Sequence, residues 1–226
     1  MRTRETGAKG GAAETGWSLG AEVANAVTHG LGTLLAIAAL AILVTEAALQ
    51  GTVWHVVAYS VFGASMVLLY SASTLFHAFS RTRAARTLEI LDHSAIYLLI
   101  AGTYTAFALT LLRSSVGWWL FAAVWTVAAI GILVQSFHLN RWPILSLLTY
   151  VAKGWLIVLV WKPLVSVAPP AVVTWIVAGG LVYTAGTLFY ALGKRYGWSH
   201  AVWHLFVIAG TTCHFFAALA VLPVVP

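Results

Sequence analysis

Seven apolar stretches follow one another along this chain, separated only by short polar breaks. They run roughly over 24–48, 53–78, 88–111, 116–137, 143–162, 169–192 and 199–223. A helix crosses about 30 Å of hydrocarbon with about 20 apolar residues. Lipid offers backbone groups no hydrogen-bond partners, so a spanning segment must be a helix or a strand of a closed barrel. Barrel strands read as short alternating segments, and these runs are long and continuous. Of the residues, 61% are hydrophobic and only 8% charged, against about 25% charged in a soluble domain. The expected fold is an all-α integral membrane protein, a seven-transmembrane helix bundle. Residues 1–19 read as a flexible cytoplasmic tail and 20–226 as one transmembrane domain. Residues 1–20 are polar and Gly/Ala-rich with no apolar core, so no cleavable signal peptide is expected. Cys213 is the single cysteine, which excludes an intrachain disulfide.

Lysine and arginine give the orientation. Arg2, Arg4, Lys9, Arg81, Arg83, Arg86, Arg141, Lys194 and Arg195 fall on one side if there are seven crossings. The other side has only Arg113 and Lys162, and Lys153 lies within the fifth segment. Positive residues favour the cytoplasm. This places the N-terminus inside and the C-terminus outside. The formal charge of +6 therefore reflects topology, with anionic headgroups as a further use for Arg81, Arg83 and Arg86; no nucleic-acid partner is implied. Trp54, Trp118, Trp119, Trp142, Trp161 and Trp198 near segment ends fit an interfacial belt.

Against this background a few ionisable residues stand out. His77, Asp92, His200 and His204 lie inside or at the mouth of apolar segments, where such groups persist mainly when paired, ion-binding or reactive. His200 and His204 are four apart, so both imidazoles point to one helix face, a spacing that suits zinc. At 1.5 Å per residue the four lie roughly 6–13 Å in from the nearest basic loop residue. One shared site near the cytoplasmic face is geometrically allowed. Three neutral imidazoles plus water make an open zinc site, and a metal lowers the pKa of its bound water. Asp92 is the candidate general base. Ser73, one turn before His77, is a candidate to orient a ligand or donate to a developing oxyanion. Glu22, Asn25 and His29 form a stripe at spacings of three and four, placed to support the site or line its entrance.

Each has a plainer reading. A membrane HxxxH pair can simply hydrogen-bond between helices. Glu22 can be a first-turn acid favoured by the helix dipole. Ser73 can bond back to its own helix, and Asp92 can open its helix. The other histidines read more weakly: His55 as an interfacial residue, His93 as pointing away from Asp92's face, His138 as a boundary residue, and His214 as a hydrogen-bond donor inside the bundle, too far along its helix to share a metal.

The chain resembles the haemolysin III-like branch of the progestin and adipoQ receptor family. The resemblance rests on Glu22-x-x-Asn25-x-x-Thr28-His29, Ser73-x-x-x-His77, Asp92 opening a helix rich in small polar residues, His200-x-x-x-His204 and His214-Phe-Phe. It implies a seven-helix bundle with a cytoplasmic N-terminus, in the inner (cytoplasmic) membrane of a bacterium. It also implies zinc bound by His77, His200 and His204, with Asp92 acting through the zinc-bound water. The animal receptors' long extra N-terminal domain has no counterpart here, which argues against hormone recognition. Eukaryotic members are associated with ceramide hydrolysis.

Three functions compete. The first is a zinc-dependent hydrolase of a lipid amide or ester, with membrane lipids as partners and substrate. The second is a membrane-state sensor or regulator with structural zinc. The third is pore formation, disfavoured because polar residues concentrate at the cytoplasmic end.

Overall fold

The computed structural model describes residues 17–137, 143–193 and 196–223, and these contain helices and turns but no strand. The helices are α1 (Leu19–Gln50), α2 (Val53–Ala78), α3 (Ala85–Ala108), α4 (Gly117–Phe137), α5 (Pro143–Gly154), α6 (Trp161–Val167), α7 (Pro170–Leu192) and α8 (Gly197–Leu219). Local signals set several ends. Ser18 caps α1 by accepting from the Ala21 N–H at 3.2 Å, as N-cap serines do. Pro170 opens α7, where its missing N–H costs nothing. At the start of α2, the Thr52 N–H donates to His55 Nδ1 at 3.2 Å. His55 is therefore a buried capping residue in the first turn of α2.

Among the described residues, six helical stretches are long and apolar enough to cross a membrane: Leu19–Gln50, Val53–Ala78, Gly117–Phe137, Ser146–Val167, Pro170–Leu192 and Gly197–Leu219. Their outer faces carry large apolar side chains such as Leu31, Leu34, Leu133, Leu188 and Leu205, all more than half exposed. Polar residues face inward instead, including Glu22, Asn25, His77, Asp92, Lys153 and His204. This is an integral membrane protein. α3 falls outside the set of six because Arg86, Glu89, Asp92 and His93 crowd its first half. More than half of its residues are buried, so protein rather than lipid surrounds it.

α1 packs on α2 and α8, α2 on α3, α3 on α4 and α7 on α8, and α3 also touches α5 and α8. Small residues let the helices approach closely, as is usual where lipid gives no hydrophobic drive to association. A methyl group at Gly63 would meet Leu40 of α1, one at Gly102 would meet Ser65 of α2, and one at Gly186 would meet Trp203 and Phe206 of α8. Tyrosines lock the contacts further. Tyr59 donates to the Ala218 carbonyl at 2.6 Å, and Tyr70 donates to Thr211 Oγ1 at 2.8 Å.

The fifth apolar segment is not one helix. α5 ends at Gly154, a 3₁₀ turn covers Leu156–Val160, and α6 begins at Trp161. Tyr104 of α3 repairs the break. Its hydroxyl donates to the Gly154 carbonyl at 2.8 Å and accepts from the Ile157 N–H at 2.8 Å. Irregular backbone at membrane depth is tolerated when protein satisfies it in this way. Lys153, just before the break, is buried and donates to the Tyr97 carbonyl at 3.0 Å.

Gly102 gives a test of this packing. Alanine there gains about 1 kcal/mol of helix propensity. Its Cβ would, however, overlap Ser65, whose Oγ is held by the Phe62 carbonyl at 2.7 Å, and would crowd the Val61 carbonyl. Overpacking costs about 1–3 kcal/mol. Gly102→Ala is expected to unfold at lower temperature than wild type in detergent; an equal or higher midpoint would contradict the close α2–α3 approach.

Candidate metal centre

Three helices bring their imidazoles and carboxylates to one end of the bundle. His77 sits in the last turn of α2, His200 and His204 in the first two turns of α8, and Glu22 in the first turn of α1. The ligand atoms available from His77, His200 and His204 all lie within 4.8 Å of one another, and all three residues are buried. Nitrogen ligands at 2.0–2.1 Å around tetrahedral zinc stand roughly 3.4 Å apart. Binding an ion would draw the three rings together from that spacing.

The hydrogen bonds leave the right atoms free. His77 Nδ1 lies 2.8 Å from Glu22 Oε2. The carboxylate can only accept, so the ring donates from Nδ1 and keeps its lone pair on Nε2. That Nε2 is buried and has no hydrogen-bond partner. His204 Nδ1 lies 3.2 Å from the Asn25 carbonyl and 3.1 Å from Thr28 Oγ1. Thr28 donates to the Ala24 and Asn25 carbonyls, so its oxygen is an acceptor for His204, and Nε2 again keeps the lone pair. Carboxylate and carbonyl partners behind ligating imidazoles are the usual way to fix tautomer and ring direction. An orphaned buried Nε2 beside two further imidazoles is a donor set that fits zinc.

Asp92 and Ser73 reach the same place from α3 and α2. Both line a cavity that His200 and His204 also line. Asp92 is buried with Ser73, His77, His93, Tyr150 and Tyr190 as its charged or polar neighbours. Ser73 Oγ is buried with no fully formed hydrogen bond. The stripe on α1 divides its tasks. Glu22 holds His77, and Asn25 offers its main-chain carbonyl to His204 while its amide atoms find no partner. His29 stacks flat on His204, ring centroids 3.5 Å apart, with neither nitrogen hydrogen-bonded.

The remaining histidines are not among the three that converge. His93 Nδ1 is 3.1 Å from the Glu89 carbonyl and the residue lines the cavity. His214 lines the cavity's far part. His138, Trp142, Arg141, Lys194, Arg195 and residues 1–16 lie outside the described residues.

Trp17 escaped the sequence reading, which ended the tail near it. Its ring stacks against His200 at 4.4 Å and His77 at 5.6 Å between centroids. Nε1 donates to the Gly193 carbonyl at 3.0 Å, and Arg81 donates to the Trp17 carbonyl at 3.3 Å. Tryptophan thus covers the histidines from the polar end. No spacing rule points to it. Thr28 was readable only as part of the Asn25–His29 motif.

Comparison with known proteins agrees with this architecture. A family described as "Haemolysin-III related" matches residues 17–215. The chain is 46% identical to Hemolysin-3 of Bacillus cereus over 198 residues, covering 88% of this chain and 90% of that protein. It is 43% identical to the Hemolysin-3 homolog of Bacillus subtilis (strain 168) over 198 residues, 88% and 92% of the two chains. It is 27% identical to the human monocyte to macrophage differentiation factor over 203 residues, 86% of this chain and 81% of that one. No solved structure matches the chain significantly. The chain belongs to the haemolysin III-like branch of the progestin and adipoQ receptor family.

The Glu22–His77 contact is open to direct measurement. Loss of a partner behind a metal-binding imidazole typically costs 10–100-fold in metal affinity. Glu22→Ala is expected to weaken zinc binding by about that factor, read by competition with a chromogenic chelator, while His204→Ala removes tight binding altogether. Wild-type affinity in Glu22→Ala would show that the carboxylate does not serve the centre.

Proposed function

We propose that this haemolysin III-family protein is a zinc-dependent hydrolase of a lipid amide or ester, working near the cytoplasmic face of the bacterial inner membrane. One observation carries the reading. The unpartnered Nε2 of buried His77 converges with His200 and His204 beside Asp92, at one end of a cavity walled largely by apolar side chains. His77, His200 and His204 would hold the ion and leave one position for chemistry. Zinc held by three imidazoles supplies an acidified water and polarises a carbonyl.

The chain's own groups complete the reaction. Asp92 takes the proton from the attacking water and returns it to the leaving nitrogen or oxygen, as a general base and then acid. Water's oxygen joins the acyl carbon, the C–N or C–O bond breaks, and a fatty acid and an amine or alcohol result. Ser73 Oγ, buried beside Asp92, donates to the oxygen on which negative charge develops. Trp17 limits bulk water at the polar end, and Leu69, Ile96, Leu99 and Ile100 give the acyl chain an apolar wall.

The same reading sets the topology. Seven crossings are the six long apolar helices plus α3, whose polarity is matched by its burial. The bond from Arg81 to Trp17 joins the start of α1 and the loop after α2 at one end. The charge pattern makes that end cytoplasmic. The competing reading is a zinc clamp without catalysis, favoured by the way α1 supports ligands from both α2 and α8.

Asp92→Asn separates the two. General acid–base groups contribute about 10²–10⁴-fold. The hydrolase reading expects a folded variant with zinc content near one per chain and fatty-acid release from a lipid amide and ester panel reduced by at least about 10²-fold. Undiminished release would remove Asp92 from the chemistry. No release by zinc-loaded wild type from any lipid would leave the clamp.

A further inference from the structure

The three converging imidazoles are closed off on most sides. His77, His200 and His204 are each at most 8% exposed. His29 lies flat on His204 with ring centroids 3.5 Å apart, and the Asn25 carbonyl meets His204 Nδ1 at 3.2 Å. Phe76 leans on His77 at 4.9 Å between centroids, and Glu22 holds its Nδ1 at 2.8 Å. Among the described residues two approaches remain. One is the cavity, whose lining includes Leu69, Ile96, Leu99 and Ile100. The other is the polar end, where Trp17 lies over His200 and His77.

The first approach suits a lipid and not a divalent cation. An ion passing apolar side chains must shed its water, and nothing along that wall replaces the lost hydration. The polar end differs, because one side chain closes it and few bonds hold the closure. Trp17 Nε1 donates to the Gly193 carbonyl, just past the end of α7, at 3.0 Å. Arg81, in the loop after α2, donates to the Trp17 carbonyl at 3.3 Å. Trp17 precedes Ser18, the N-cap of α1, so its ring can swing without unwinding a helical turn. α8 makes room for the closed position at its first residue, Gly197. A methyl there would stand 3.7 Å from the Trp17 ring and 3.3 Å from Ala21.

We infer that Trp17 is a gate for the metal: zinc reaches and leaves the three histidines past the Trp17 ring, and the bonds to Gly193 and Arg81 set how often that ring opens. The inference rests on the metal-binding part of the reading above and not on hydrolysis. An indole N–H donates and has no lone pair for a metal, so Trp17 is not a ligand. Its removal lowers the barrier in both directions and leaves the bound and free states much as they were. Glu22 acts differently, since its loss weakens the bound state itself.

Zinc exchange kinetics on full-length protein in nanodiscs test the gate. Association is followed by stopped flow, release by transfer to an excess of a chromogenic chelator, and Kd by equilibrium competition. Opening breaks the Gly193 bond, and one hydrogen bond corresponds to a factor of about ten. Trp17→Ala is expected to speed association and release alike by about tenfold, with Kd moving by less than about threefold. Trp17→Phe keeps a ring without the donor, and Arg81→Ala removes the second bond through an exposed side chain; both are expected to fall between wild type and Trp17→Ala. Wild-type exchange rates in Trp17→Ala overturn the proposal. So does faster release matched by an equal loss of affinity, which marks a damaged ligand set. Where Trp17→Ala does not fold, wild-type rates in both Trp17→Phe and Arg81→Ala overturn it equally. A wild type that binds no zinc removes the metal reading together with the gate, whereas tight zinc with unaltered exchange in the variants removes the gate alone.

Discussion

Lipid supplies no hydrogen-bond partner, so every polar group this bundle carries into the membrane must find one inside the protein. The arrangement of the helices follows from that demand. Glu22 would be costly alone at this depth, and so would an unsupported His77; together they tie α1 to α2. The Asn25 carbonyl, which also accepts from Thr28 Oγ1, takes the Nδ1–H of His204 on its second lone pair and ties α1 to α8. α1 therefore acts as the spine of the centre although it offers none of the three imidazoles. Truncating Glu22 would leave a buried imidazole N–H unpaired, and the penalty for that exceeds the net worth of an ordinary hydrogen bond.

The break in the fifth segment obeys the same rule. Gly154 and Ile157 each expose a main-chain group that an unbroken helix would have satisfied, and Tyr104 meets both with one hydroxyl. The break in turn shapes the space beside it: Gly154 and Trp155 line both cavities. α3 can carry Tyr104, Tyr97 and Asp92 because it is surrounded by protein. Its modest apolarity is a consequence of its position, since a lipid-facing helix with the same residues would not be stable in the bilayer.

Much of this was legible in the sequence, for physical reasons. Hydrophobic length alone gave the helices, because roughly 20 apolar residues have one structural use. His200-x-x-x-His204 was legible because helical periodicity fixes their common face. His77 and Asp92 were legible because ionisable groups are rare at such depth. The tertiary partners were not. Nothing in the spacing of Glu22 and His77, 55 residues apart, announces their bond. Trp17 looked like the end of a tail because local composition carries no record of what a side chain packs on. The α5 break was hidden inside an apolar run, since its repair comes from Tyr104, about 50 residues upstream. His55 adds a local partner that its position near the helix start did not announce, the N–H of Thr52 three residues before it.

α8 unites the two ends of the cavity, and its rigidity gives that union its meaning. His200 and His204 are one turn apart, so they converge; His214 is far enough along that it cannot join them and instead sits at a fixed distance. Gly186 of α7 lets α8 approach closely at Trp203 and Phe206, and Gly179 lets it approach again beside His214. Both approaches are made by glycines of α7, so a side chain at either position would force α7 and α8 apart.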